Sequence, residues 1–276
     1  RGGAVAPSER IVMGGIGIGN RGAYDLNLLL QESGVQFVAV CDVRRARREA
    51  VKQMVDQAYG NRDCATSRDL REFLARRTDL DAVLIATGDR WHTPASILAM
   101  KAGLDVFCEK PSSMSVAEGQ ALVATARRYG RIFQSGMQRL SEGNFVFADE
   151  LARSGRLGKV HTVYAHQLPF QMRTDWLPAQ PEPDPEECDW NLWLGPAPWR
   201  PYNVAYTRAC GAWLDFYDFG TGVAGWGSHT ICQCQAALGA ETTSASEYVY
   251  PGNSDANGLE CRFAGGARLV LDAQGW

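Results

Sequence analysis

The sequence predicts an α/β fold. A doubly wound parallel sheet comes first, followed by a smaller α+β domain with an open, largely antiparallel sheet. Three observations lead there. Short β-branched runs alternate with helix-period segments through the first half of the chain, the pattern of right-handed βαβ crossovers. Five glycines crowd into residues 14–22, between the first apolar run and the first helical segment. After Gln138 the alternation gives way to a long strand, a Pro- and Trp-rich stretch and three closing strand-like pieces. The expected division is a first domain over 8–138 and a second over 139–276, the latter stopping short of a closing element and so expected to be incomplete at its C-terminus.

Each element has its own signal. Ile11 to Ile16 is a short apolar strand, and Tyr24 to Glu32 a helix with Leu26, Leu29 and Leu30 at helical spacing. Val35 to Cys41 (VQFVAVC) is a β-branched strand ending at Asp42. Arg44 to Ala58 is a polar helix, and Ser67 opens another with Asp69 and Glu72 in its first turn. Asp81 to Thr87 reads as a buried strand, and Thr93 to Ala102 as a helix with Pro94 near its start. Leu104 to Cys108, Val116 to Tyr129 and Arg131 to Gln134 continue as strand, helix and strand. In the second half, Ser141 to Ser154 is helical and Lys159 to His166 extended. QPEPDPEECDWNLWLGPAPWRPYN carries too much proline for regular structure. Gly225 to Leu238 is a helix, and Glu247 to Tyr250, Leu259 to Phe263 and Ala267 to Asp272 are strands.

Composition narrows the function. A net charge of −3 over 276 residues gives no basic footprint for nucleic acid. No apolar run approaches the roughly 20 residues that cross a bilayer. The eight cysteines form no C-x-x-C pair, and several sit inside apolar runs as small hydrophobes, so they do not report a compartment. His161 and His166 lie on opposite faces of a strand, and His229, Cys232 and Cys234 lack a zinc spacing, so no metal is expected.

The glycine-dense stretch explains itself as G-x-G-x-x-G: Gly17, Gly19 and Gly22, between strand and helix. The first glycine makes the tight turn, the second admits a pyrophosphate to the backbone, and the third lets helix and strand pack closely. The amides of residues 17–22, those of Ile18, Asn20 and Arg21 among them, then face the phosphates with the positive end of the helix dipole. Asp42, twenty residues past Gly22 at the end of the second strand, stands where a carboxylate receives the adenosine ribose hydroxyls. The first domain therefore reads as a Rossmann dinucleotide-binding domain. Asp42 repels a 2′-phosphate, which favours NAD; Arg44 or Arg45 is the route by which NADP would bind instead.

Several segments together resemble the glucose-fructose oxidoreductase / inositol dehydrogenase / rhizopine-catabolism (Gfo/Idh/MocA) family: GIGIGNRG, AVCD, LIATGDRWH, DVFCEKP and GWGSHTI, in that order. GRLGKVHTV and DWNLWLGPAPWRPYN are similar to a bacterial, exported subgroup of it. The resemblance spans nearly the whole chain. It implies that Thr87, Trp91, His92, Glu109, Lys110 and Gln138 line the cofactor, and that the Lys110-Pro111 bond is cis. It implies that Lys110 hydrogen-bonds the reacting oxygen and that His229 takes or gives its proton, work for which an imidazole titrates in the useful range. The substrate so implied is a sugar, cyclitol or related polyol oxidised at a CH–OH carbon. An NAD-dependent glycosidase and a non-catalytic binding homologue are the alternatives.

Two positions depart from the family's D-x-x-x-H-x-x-D pattern: Gly225 stands at the first Asp and Cys232 at the second, where the family contacts substrate. Altered substrate, altered chemistry or binding without turnover are the readings these changes leave open. Arg139 and Trp190 are further candidate substrate contacts, with Trp190, Trp193, Trp199 and Tyr202 divided between core packing and stacking on a sugar ring. The second domain's open sheet implies a homo-oligomer, dimer or tetramer. RGGAVAPSER is similar to the segment that follows a twin-arginine leader, so export is expected, with a cytoplasmic location as the alternative.

Overall fold

The computed structural model describes residues 5–166, 172–208, 213–220, 222–252 and 258–272. Cys210 and the first four residues of RGGAVAPSER lie outside them. The chain divides into two compact units. One comprises Arg1–Gly136 with Met172–Thr221, the other Met137–Gln171 with Gly222–Trp276.

The first unit holds a six-stranded parallel sheet: β1 (Ile11–Ile16), β2 (Val35–Cys41), β3 (Ala65–Ser67), β4 (Ala82–Ile85), β5 (Asp105–Cys108) and β6 (Phe133–Ser135), in the order β3-β2-β1-β4-β5-β6. The order reverses at β1, so the connections leaving the paired strands β1 and β4 run in opposite directions and leave a crevice at the carboxyl ends of the two strands. Helices α1 (Asn20–Leu29), α2 (Arg45–Tyr59), α3 (Leu70–Arg76), α4 (Asp89–Lys101) and α5 (Val116–Tyr129) supply the crossovers. Side-chain alternation along β4 shows why both faces are covered. Val83 and Ile85 pack with Phe73, Ala95, Met100 and Leu122, whereas Leu84 packs with Leu26, Val51 and Val55 on the other side.

Two local differences from the sequence expectation have simple causes. The helix expected from Thr93 begins at Asp89, whose carboxylate suits a first turn, so Pro94 falls inside it. β3 was not anticipated, because three residues are too few to show periodicity.

The Pro- and Trp-rich stretch is more ordered than its composition suggests, and it packs in the first unit. Asp189 accepts from Leu192 N and opens α7 (Trp190–Leu194), and Asn203 accepts from Ala205 N and opens α8 (Val204–Thr207). An aromatic core of Trp190, Trp193, Tyr202, Tyr206, Phe216 and Phe219 forms beneath them, with Val43 packed against it. Backbone bonds from Asp189 N to Val43 O (3.1 Å) and from Arg45 N to Glu187 O (3.0 Å) seam the stretch to the start of α2. The expected second domain thus lends residues 172–221 to the first unit, because the aromatic side chains of that stretch find their burial there.

The second unit contains α6 (Gly143–Arg153), α9 (Val223–Ala237) and a four-stranded sheet of β7 (Thr162–His166), β8 (Glu247–Val249), β9 (Leu259–Arg262) and β10 (Arg268–Asp272), in the order β7-β10-β9-β8. β8, β9 and β10 pair antiparallel, but β7 and β10 run parallel, so the sheet is mixed. Ile231, Cys234 and Leu238 of the α9 region cover its inner face at Ala165, Cys261 and Leu269.

Candidate functional site

A cavity of about 410 Å³ opens at the sheet reversal in the first unit. Each glycine of the motif has its own reason to be there. Gly17 takes φ +68°, and a Cβ on it would sit 2.3 Å from Thr87 Cγ2. A Cβ on Gly22 would sit 2.7 Å from Ala86 Cβ, so the bare backbone lets α1 lie against the end of β4. Gly19 has nothing within 4 Å of its missing Cβ; that side of the turn is open. The first i→i−4 bond of α1 runs from Ala23 N to Gly19 O, which leaves the preceding first-turn amides without intrahelical acceptors. The turn, the opening and the helix end together fit a pyrophosphate.

The cavity walls agree in charge. Seven arginines line it (21, 44, 47, 68, 71, 90 and 208) against two aspartates (42 and 69), an excess that suits an anionic ligand. Asp42 lines the crevice just past the end of β2, its Oδ1 accepting from Arg44 N at 2.9 Å; burial pushes its carboxyl above the usual range. Arg44 donates to Thr207 O, Arg47 to Asn20 Oδ1 (2.8 Å), and Arg45 pairs with Glu187 and Glu49.

The 172–221 stretch supplies a wall that sequence reasoning did not foresee. Asn191, Leu192, Trp193, Thr207, Arg208 and Trp213 all line the cavity. Arg90 pins this wall: its Nε and Nη2 donate to Trp193 O at 3.0 and 2.6 Å, and its guanidinium lies 3.7 Å from the Trp193 ring centroid. Burial lowers Arg90 to about 9. Trp91 Nε1 donates to Leu192 O at 3.0 Å. The signal in the sequence was the run DRWH at the head of α4, but its partners lie about a hundred residues on.

The other expected cofactor residues are distributed as follows. Gly17, Gly19, Asn20, Arg21, Asp42, Thr87 and Trp91 line the cavity. Ile18 turns its side chain into the core at 1% exposure, so only its backbone is available to a ligand. His92 is buried, its Nδ1 2.7 Å from Pro111 O and its Nε2 3.1 Å from Thr87 O; it braces α4 against the segment after β5 and does not reach the cavity. Glu109 is likewise buried, accepting from the cavity-lining Arg21 through its Nε (2.9 Å) and from Lys110 N (3.0 Å). Lys110 follows at the end of β5, and its bond to Pro111 is cis. Gln138 belongs to the second unit, at the start of a single 3₁₀ turn, Gln138–Ser141.

A tight cluster of charges lies behind the glycine turn. Arg21 also pairs with Asp25 at 2.7 Å, so two buried carboxyls share one guanidinium. Burial, reinforced by Glu109, pushes Asp25 up to about 7. Burial works against Glu109 too, but hydrogen bonds from Arg21 and Asp25 hold it below the usual range.

In the second unit, His229 sits on α9 at 7% exposure, edge-on to Trp226 with ring centroids 6.1 Å apart. Cys232 follows one turn later, its thiol raised by burial. The Arg139 guanidinium carbon lies 4.8 Å from the Trp226 ring centroid. Trp190 does not join them. It is 3% exposed, stacked on Trp193 at 4.7 Å, and donates Nε1 to Arg200 O, so its expected role as a sugar contact gives way to core packing. Among the described residues no group of three or more His, Cys, Asp or Glu could hold a metal ion, and the described cysteines are all unpaired thiols.

Comparison with known proteins bears on this geometry. Residues 10–137 match the model of the oxidoreductase family with an NAD-binding Rossmann fold, and residues 146–274 match that family's C-terminal alpha/beta domain. The chain belongs to the Gfo/Idh/MocA oxidoreductase family. Residues 10–137 are the NAD-binding Rossmann fold of that family, and the glycine cradle fits the cofactor. Glycosyl hydrolase family 109 protein 1 of Shewanella sp. (strain MR-4) is 32% identical over 182 residues, 62% of this chain and 39% of the relative. An alpha-N-acetylgalactosaminidase of Shewanella oneidensis is 31% identical over the same extent. The matched part thus spans about two-fifths of these curated relatives. Among solved structures, GenD2 from gentamicin A biosynthesis, in complex with NAD, superimposes with TM-score 0.65 at 22% identity, covering 100% of this chain and 68% of that one. Myo-inositol 2-dehydrogenase from Lactobacillus plantarum does so with TM-score 0.64 at 17% identity, covering 95% and 69%. At such identities these Gfo/Idh/MocA neighbours speak for the fold.

Proposed function

We propose that this chain carries the cofactor site and part of the substrate site of an NAD-dependent oxidoreductase acting on a CH–OH carbon of a sugar, cyclitol or related polyol. The observation that carries the reading is the glycine turn, with Gly19 open on one side and an arginine-lined cavity that Asp42 also lines. Bound NAD supplies a hydride acceptor and donor. The chain's own residues do the rest. The helix end and arginines neutralise the phosphates. Glu109, anchored by Arg21, holds the backbone at Lys110. Lys110 is assigned to the substrate oxygen, where its ammonium stabilises developing negative charge. His229 is assigned to the hydroxyl proton. Trp91 and Arg90 close the cavity wall against water.

A second reading is supported by the relatives named as family 109 glycosyl hydrolases and alpha-N-acetylgalactosaminidase. In it the same site cleaves a glycosidic bond with no net redox change. Incubation with NAD and free sugars, and separately with aryl glycosides, divides the two. Steady NADH formation supports the oxidoreductase; aryl release without NADH supports the glycosidase. Lys110→Met abolishes turnover under both readings; full activity in that variant rejects the assigned site. Export and self-association belong to the same reading, and cell fractionation and light scattering test them.

A further inference from the structure

Arg139 has an unusual setting in the second unit. Its guanidinium carbon lies 4.8 Å from the ring centroid of Trp226 on α9 and 5.3 Å from that of Phe145 on α6. Among the described residues it takes part in no salt bridge. A guanidinium stacked on aromatic rings has its faces occupied, while its in-plane N–H groups still point outward as a fork matched to a planar carboxylate. Trp226 is half-exposed and touches His229 edge-on, so the cation, the indole and the imidazole follow one another at 4.8 and 6.1 Å, within reach of one sugar ring and its substituents. Cys232, one turn beyond His229 on the same helix, brings no charge of its own to that row.

We propose that Arg139 receives a carboxylate of the substrate, and that the sugar acted on is of the uronic-acid class. The inference rests on the reading of His229 as part of a sugar site. One guanidinium balances one carboxylate better than it balances a phosphate dianion, which selects the carboxylate among anionic sugars. Trp226 then offers its exposed indole to the apolar face of the ring.

The test is calorimetric titration of the full chain with D-glucuronate and D-galacturonate, against D-glucose, D-galactose and D-glucose 6-phosphate. Wild type is expected to bind a uronate at least tenfold more tightly than its neutral counterpart and more tightly than the phosphate, with the preference shrinking as salt rises. Arg139→Gln is expected to bind uronate and neutral sugar alike. Equal wild-type affinity for the uronates and the neutral sugars overturns the proposal, as does a uronate preference that survives Arg139→Gln. Tighter binding of the phosphate overturns the choice of carboxylate. The wild-type comparison decides the matter even if Arg139→Gln does not fold. NADH formation is followed in parallel. A uronate preference without NADH from any sugar removes the oxidoreductase reading and keeps this one. NADH from neutral sugars alone does the reverse.

Discussion

Arg21 donates its Nε to Glu109 Oε1 across 2.9 Å and so joins the first turn of α1 to the end of β5. Residue 21 lies inside the glycine motif, and residue 109 holds the amide of Lys110. The turn assigned to the phosphates and the lysine assigned to the substrate oxygen are therefore mechanically one piece. Asp25, on the other side of the guanidinium, completes the link.

That link has a pH signature. Asp25 is pushed up to about 7, chiefly by burial. An unfolded aspartate ionises near 3.9. Between about pH 4 and 7 the folded chain keeps a proton that the unfolded chain has released, so this group's contribution to stability falls as pH rises through that window and levels off above it. Asp25→Asn is expected to flatten the dependence of melting temperature on pH between 5 and 8, where wild type loses about 2–4 °C per kcal/mol of this term. Equal slopes in the two proteins would show that Asp25 ionises normally.

The first two glycines of the motif separate folding from binding. Gly17→Ala places a side chain at φ +68° and against Thr87, and is expected to cost on the order of 2–4 kcal/mol in denaturant unfolding. Gly19→Ala meets no neighbouring atom and is expected to cost under about 0.5 kcal/mol. Its added methyl enters the open side of the turn, so NAD affinity by calorimetry is expected to drop at least tenfold. Unchanged affinity in Gly19→Ala would place the pyrophosphate elsewhere.

Arg90→Ala removes two N–H donors from Trp193 O and the cation from its ring. A loss on the order of 2–4 kcal/mol is expected, with hydrogen exchange accelerated over residues 190–207. Arg90→Lys keeps the charge without the fork and is expected to recover only part of the loss. An Arg90→Ala protein that unfolds at the wild-type denaturant concentration would show that the wall holds without it.

Asp42 is expected to set the cofactor. Its carboxylate disfavours a 2′-phosphate, and of the alternative phosphate sites Arg44 is engaged with Thr207 O and Arg45 with Glu187 and Glu49. Wild type is expected to bind NAD at least tenfold more tightly than NADP, and Asp42→Ala to weaken NAD and narrow that ratio. Tighter NADP binding in wild type would reassign the arginines.

Local pattern in the sequence was enough for the parallel sheet, the glycine turn and the carboxylate at the end of β2. Each depends on residues near one another in the chain: a β-branched run, three glycines at fixed spacing, one acid at a strand end. The tertiary structure alone decided which side chains share a wall. His92 and Glu109 turned to bracing, and Trp190 turned into the core, because burial and hydrogen-bond partners come from distant segments. The same holds for the 172–221 stretch, whose aromatic residues are buried only when it folds onto the first unit, where Trp193 meets Arg90 across 103 positions of sequence. Periodicity and turn chemistry act over a few residues and can be read along the chain; long-range packing depends on which surfaces remain to be covered once the elements exist.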